Sequence, residues 1–223
     1  MRGTVCLQGG GEFSISCADM DADLVARADG GPVVVTALAG APGMDYRTAT
    51  ANGVRHFASV GGAPVVGAPD VREDPERALA VLRTARLLVL PGGSPARLLT
   101  ALQCTGAGQV VADLLDSEGV VMGASAGAMV LCDWTVLPDR GMQVVAGLGV
   151  VRETVVVPHW SGGRDDWLAA LDAAVAPQVS VLGLPEASGV VVDRAGMMAV
   201  GRLPSALLRQ GVELAVGQRV EAA

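Results

Sequence analysis

The chain has 223 residues, half of them hydrophobic but only 3% aromatic, with a formal charge of −7 and a pI near 4.8. That acidic balance argues against nucleic acid or an anionic membrane as a partner. All 16 basic residues are arginine, so a Schiff-base lysine and a phosphate-loop lysine are both excluded.

Taken in chain order, short apolar runs alternate with longer stretches of helical period. TVCLQ at 4–8 predicts a buried strand ending in Gly9-Gly10-Gly11, and VVVTAL at 33–38 predicts a second. A helix over Asp45 to Val60 precedes a third strand, VVGA at 65–68. Asp74-Pro75 opens a helix with an N-cap acid and a proline at the first helical position, and Ser94-Pro95 repeats the signal. LLVL at 87–90 and VVMGA at 120–124 read as strands, with a further helix from about 107 to 117. AGAMVLC after Ser125 reads as a helix, VVVP and VSVLGL as later strands, and GVVVDRAGMMAVG as a hairpin turning at Asp193 to Gly196. This alternation predicts an α/β fold, a mostly parallel central sheet with helices on both faces and antiparallel strands from Gly189 onward. No linker, repeat or low-complexity segment divides the chain, so one domain over 1–223 is expected.

Cys6, Cys17, Cys104 and Cys132 form no CxxC pair or disulfide framework, and reduced thiols are expected. MRGTVCLQGGGEF breaks into glycines before a signal-peptide apolar core, and no apolar run reaches the ~18 residues of a membrane span. A soluble cytoplasmic protein follows. Gly9-x-Gly11 lacks the third glycine of a dinucleotide fingerprint, Ser14 standing in its place. Asp19, Asp21 and Asp23 imitate a calcium loop, but Leu24 replaces its glycine and Gly30 its final glutamate; acids leading into a helix over 23–29 account for them better. With His56 and His159 the only histidines and no HExxH, a catalytic zinc site is not expected. No metal or cofactor is predicted.

In sheets of this kind ligands gather at the carboxyl ends of the strands. Three glycine-rich turns fall at such ends: GGGE at 9–12, PGGS at 91–94 and GASAG at 123–127. Gly123-x-Ser125-x-Gly127 fits a strand-turn-helix elbow that exposes a serine nucleophile. With 30 glycines and 10 serines, chance alone yields about 0.18 such patterns, so the context must carry the assignment. A serine nucleophile needs a base and an acid to hold that base. His159, at the end of VVVPHW, can share the sheet edge with the elbow; His56 lies in a helical segment. Glu186, in VLGLPEAS, has the same placement past an apolar strand, with Asp133, Asp139 and Glu153 as rivals for the acid.

GASAGAMVL, then PHW, then GLPEASGVVV, in this order and spacing, resembles the serine peptidase family of aspartyl dipeptidase (peptidase E) and cyanophycinase. ARLLVLPGGSPARLLTAL resembles that family's glycine-rich loop and following helix, and the likeness runs from Thr4 to about Val192. The resemblance implies a class I glutamine amidotransferase-like, flavodoxin-like three-layer fold with a Ser-His-Glu triad. It casts Ser125 as nucleophile, His159 as base and Glu186 as orienting acid, with the Gly93 and Ala126 N–H groups as oxyanion hole. Arg164 stands one place out of register with the arginines of cyanophycinase-like proteins, and Pro158 is closer to the dipeptidase branch. Arg164, Arg97 and Trp160 are the candidate substrate contacts. The expected activity is hydrolysis of a peptide or isopeptide bond in a small peptide or amide, and a homodimer is an allowed assembly. An amidotransferase-like enzyme, an esterase and a binding protein of the same fold without chemistry are the alternatives.

Overall fold

A computed structural model describes residues 2–221. Five parallel strands, β1 (Thr4–Gln8), β2 (Val33–Val35), β3 (Val65–Gly67), β4 (Leu87–Leu90) and β5 (Val120–Ala124), lie in the order β1-β5-β4-β2-β3. A second sheet has a parallel centre of β6 (Cys132–Leu137), β8 (Val151–Pro158) and β9 (Ser180–Leu184), with β7 (Gln143–Ala146) antiparallel on β6. The hairpin β10 (Ser188–Asp193) and β11 (Gly196–Gly201) then extends the first sheet, β10 pairing antiparallel with β1. The strands β12 (Ser205–Leu207) and β13 (Val212–Leu214) extend the second sheet beside β9, and β14 (Arg219–Val220) closes the far edge of the first.

The continuous apolar runs of the sequence are explained by burial on both faces of the first sheet. Val5, Leu7, Leu88, Leu90 and Val121 point into one core; their neighbours Cys6, Leu87, Val89, Val120 and Met122 point into the other. The second core is covered by α1 (Ala18–Arg27) and by Phe57 of α2 (Met44–Val60). The first is covered by α3 (Pro75–Leu82), α4 (Pro95–Cys104), α5 (Ala107–Asp116), α6 (Ala126–Leu131) and the second sheet, itself flanked by α7 (Asp165–Ala174). Both predicted proline-led helix starts are capped: Asp74 accepts from the Arg77 N–H and Ser94 from the Arg97 N–H, each at 3.2 Å. Among the described residues no single helix is long and apolar enough to cross a membrane; α4 and α5 are apolar together but bend by 80° at their junction.

Three expectations are corrected. The strand expected over 33–38 leaves the sheet after Val35, where the Thr36 hydroxyl meets Tyr46 Oη at 3.0 Å. The next residues turn away and offer their carbonyls as acceptors: Leu38 and Gly40 to Arg72, Ala39 to Ser94 and Arg97. The helix expected over 23–29 begins at Ala18, because Asp21 turns inward to a buried partner instead of marking a solvated helix start. The short helix after Ser125 stops at Leu131, and Cys132 already opens β6, in a second sheet whose strands the alternation of elements did not separate from the first.

Candidate active site

The carboxyl ends of β1, β5 and β4 are adjacent, which brings the three glycine-rich turns to one edge. Ser125 sits between β5 and α6 with φ 48° and ψ −109°, a sparsely populated conformation for a non-glycine residue. Both glycines of the elbow are required by close packing. A Cβ on Gly123 would stand 2.7 Å from Ala128 N, and one on Gly127 would overlap the Leu90 carbonyl oxygen.

Ser125 Oγ lies 2.9 Å from His159 Nε2, and His159 Nδ1 lies 3.0 Å from Glu186 Oε1. A carboxylate can only accept, so the proton on the neutral ring belongs on Nδ1, leaving Nε2 to accept from the Ser125 hydroxyl. His159 follows β8 and Glu186 follows β9, and these two strands are parallel neighbours. Their ends meet the elbow because the chain after β1 passes between them. The carbonyls of Gln8, Gly9 and Gly10 accept, in that order, from the N–H groups of Ser125, His159 and Ala187, each at 2.8 Å. The same three residues have φ of 48°, 50° and 51°. Three left-handed conformations, each costing on the order of 1–3 kcal/mol, are thus held by three consecutive acceptors of one segment.

Glycine is needed in that segment for access. A Cβ on Gly10 would stand 2.6 Å from His159 Nδ1 and 3.0 Å from Nε2, and one on Gly11 would stand 3.4 Å from Glu186 Cβ. The Cys17 thiol donates to Gly11 O at 3.2 Å and accepts from Gln8 Nε2 at 3.1 Å, anchoring the turn from below. Burial pushes this thiol above its ordinary pKa, against the pull of Ser14 and Gln8. The sequence marked GGGE as a turn but carried no sign that its carbonyls and bare Cα atoms would form the bed for His159 and Glu186.

The other predicted residues fall as follows. The Gly93 and Ala126 N–H groups donate to no group among the described residues, and Gly92 packs against Ser125. Gly93 has φ 138°, and a Cβ there would stand 2.7 Å from Ala39 O. Arg97 donates from Nη1 to Ala39 O at 2.7 Å and borders a cavity of about 490 Å³ with Ser94, Asp139 and Arg140. Trp160 packs over Gly183 of β9. Arg164 stacks on Trp167, 5.3 Å from the ring centroid, and makes no hydrogen bond to the serine, the histidine or the glutamate. Of the rival acids, Asp139 accepts from the Ser94 hydroxyl at 2.6 Å and Asp133 from the Glu153 N–H at 2.6 Å; neither they nor Glu153 bond His159. His56 is paired elsewhere, with Asp21. Among the described residues no group of three or more His, Cys, Asp or Glu side chains is placed to hold a metal ion.

A peptidase from an acI-B1 actinobacterium has the same fold: the two structures superpose with a TM-score of 0.84 at 23% identity, covering 100% of this chain and 98% of that one. A peptidase E-like protein from Listeria monocytogenes EGD-e superposes with a TM-score of 0.66 at 14% identity, covering 91% of this chain and 100% of that one. No curated protein sequence matches the chain. Residues 44–199, well over half of the chain, match the model of Peptidase family S51. That stretch contains the elbow and the ends of both strands that meet it, and by this match the chain belongs to peptidase family S51 and is a serine peptidase.

Proposed function

We propose that this peptidase cleaves a peptide or isopeptide bond of a small peptide through a Ser125-His159-Glu186 triad and an acyl-enzyme, the 223 residues acting as one catalytic domain. The observation that carries the reading is the unbroken hydrogen-bonded series from Ser125 Oγ through the imidazole to Glu186 Oε1. As Oγ attacks the scissile carbonyl carbon, its proton passes to His159 Nε2 and the carbonyl π electrons move onto oxygen. The Gly93 and Ala126 N–H groups, which donate to no other group among the described residues, donate to that oxyanion. Collapse of the tetrahedral adduct breaks the C–N bond, and Nε2 returns the proton to the leaving amine. Water then repeats the sequence on the ester, its proton going to Nε2 and on to the departing Ser125 oxygen.

Glu186 holds the Nδ1 proton in place and offsets the charge of the imidazolium. Its side chain is 66% exposed and that of His159 39%, so water screens part of this attraction. Arg97, Trp160 and Arg164 are assigned to substrate contact, Arg97 through the cavity beside Ser94. A small peptide or amide is the partner, and the four unpaired thiols suit a cytoplasmic setting. The test combines labelling by a serine-directed fluorophosphonate with hydrolysis of a dipeptide and isodipeptide panel. Wild type should be labelled at Ser125 and turn over members of the panel, and Ser125→Ala should do neither while keeping its fold. Labelling that survives Ser125→Ala would falsify the assignment of the nucleophile.

A further inference from the structure

The loop that presents the Gly93 N–H holds two glycines in succession, Gly92 and Gly93, the second with φ 138°. Such a pair is free to turn its peptide planes unless neighbouring contacts fix them. On its C-terminal side the loop is fixed by main chain: the Ser94 N–H donates to Ala39 O at 3.0 Å, and Ser94 then caps α4. On its N-terminal side the hold is of another kind. Pro91 has no N–H, so Gly92 carries the one amide donor between β4 and Gly93. That N–H donates to a side chain eighty residues away in sequence, Glu12, whose Oε1 lies at 2.7 Å.

Glu12 is built for this one contact. It is half-buried, its carboxylate has no other hydrogen bond among the described residues, and no ion pair there includes it. The residues on either side aim it: Gly11 and Phe13 have φ of 72° and 64°. Both are themselves held. Gly11 O accepts from the Cys17 thiol at 3.2 Å, and the Phe13 ring packs against His56 and Phe57, with centroids 5.8 and 6.3 Å away. Glu12 also follows closely on Gln8, Gly9 and Gly10, whose carbonyls take the N–H groups of Ser125, His159 and Ala187. One segment, residues 8–12, thus touches the nucleophile, the base, the residue after the acid and the glycine loop.

We propose that Glu12 is a positioning residue for the oxyanion hole: by holding the Gly92 N–H, it fixes the Gly92–Gly93 pair so that the Gly93 N–H faces the oxygen on which charge develops. This takes Ser125 as nucleophile and Gly93 as an oxyanion donor, as in the function proposed above. Donors of this kind stabilise a transition state because they are oriented before the charge appears. Released on its N-terminal side, the glycine pair would have to be ordered during the reaction, and that cost falls on the transition state. Glu12 acts here as a hydrogen-bond acceptor and not through its charge, since a negative charge near the elbow opposes a developing oxyanion.

The test compares a small fluorophosphonate with its thiono counterpart, in which sulfur replaces the phosphoryl oxygen. In both, Ser125 Oγ bonds to phosphorus, fluoride leaves and the serine proton passes to His159. Oxygen accepts the hydrogen bonds of the hole, whereas sulfur is a weak acceptor. The ratio of the two second-order rates therefore reports the hole, while a displaced serine or histidine slows both reagents alike. Rates are measured on wild type, Glu12→Ala, Glu12→Asp and Glu12→Gln, with thermal melting as the check on folding. Aspartate keeps the charge but is one methylene too short to reach Gly92. Glutamine keeps the reach and an acceptor oxygen but loses the charge.

Glu12→Ala and Glu12→Asp should lower the oxygen-to-sulfur ratio about 10- to 100-fold, less than the loss of a whole oxyanion donor, and through the fluorophosphonate rate alone. Glu12→Gln should keep most of the wild-type ratio. A wild-type ratio in Glu12→Asp overturns the proposal, because the charge would then suffice without the bond. So does a ratio in Glu12→Gln as low as in Glu12→Ala. Equal slowing of both reagents would make Glu12 a general support of the elbow, and that too overturns it. Should Glu12→Ala fail to fold, the contrast between Glu12→Asp and Glu12→Gln decides alone. If neither reagent labels Ser125 in wild type, the nucleophile is wrong and the positioning role falls with it; labelling at Ser125 with the same ratio in every variant removes Glu12 alone.

Discussion

The imidazole of His159 lies against the bare Cα of Gly10, so closely that a methyl group there would stand 2.6 Å from Nδ1. Gly10 has φ 130°, so alanine would be strained as well as crowded. The obstructing atoms belong to a movable ring, and the protein should accommodate Gly10→Ala by displacing it. We expect a folded variant whose kcat/KM is lower by at least ~10²-fold, the usual cost of about 1 Å of misplacement. Gly127→Ala meets the Leu90 carbonyl, which cannot rotate away, and should lose more than ~4 kcal/mol and fail to fold. Circular dichroism and turnover of the two variants check the contrast; an active Gly10→Ala would remove the packing argument.

Glu186→Gln keeps the shape of the acid and removes its charge. In a buried triad the comparable change costs roughly 10⁴ in rate. Here the side chain is 66% exposed, so water already carries part of the stabilisation. The expected loss in kcat is on the order of 10²- to 10³-fold. Asp139→Asn and Glu153→Gln should change kcat little, since neither residue bonds the ring. A larger loss from either of those than from Glu186→Gln would displace Glu186 as the acid.

Asp21 and His56 form a second carboxyl–imidazole pair, Oδ2 to Nε2 at 2.6 Å, with side chains 0% and 7% exposed. Burial raises the Asp21 carboxyl above its ordinary pKa, with His56 pulling the other way. A carboxyl so raised binds more protons folded than unfolded between its two pKa values. Its contribution to stability therefore falls as pH rises through that window and recovers as pH falls. His56→Ala strands the carboxylate and should cost about 3 kcal/mol at neutral pH. The deficit should shrink on acidification, as protonation removes the unpaired charge. Denaturant titrations of both proteins at neutral and mildly acidic pH would show this; a deficit that grows on acidification contradicts it.

Four thiols are free, and three of them (Cys6, Cys17 and Cys132) are buried. Burial pushes the Cys6 and Cys132 thiols far above their ordinary pKa and raises Cys17. Because the thiolate is the reactive form, only the exposed Cys104 should react rapidly with a maleimide in the native state. Mass spectrometry should count one adduct on the native protein and four after denaturation. Two or more fast native adducts would mean that the turn held by Cys17, or one of the cores, opens readily.

Local chemistry was legible in the linear order. The parallel strands β1, β4 and β5, the proline-led helix starts at Asp74 and Ser94, and the Gly123-x-Ser125-x-Gly127 elbow each follow from interactions between residues near in sequence, where pattern and propensity act directly. Ser125, His159 and Glu186 could be nominated because each closes an apolar strand. What needed tertiary structure was everything that depends on a distant partner. The sequence presents Asp21 as an acid leading into a helix, whereas its partner His56 lies thirty-five residues on. Val33 to Leu38 has the pattern of one strand, but the strand ends at Val35 and the loop carbonyls beyond it accept from Arg72, Arg97 and Ser94. Gly9, Gly10 and Gly11 read as a tight turn, yet their requirement comes from Leu184, His159 and Glu186, segments far away in the chain. A glycine's pattern in sequence reports freedom of the backbone, while the reason to leave out a side chain lies in what the fold packs against it.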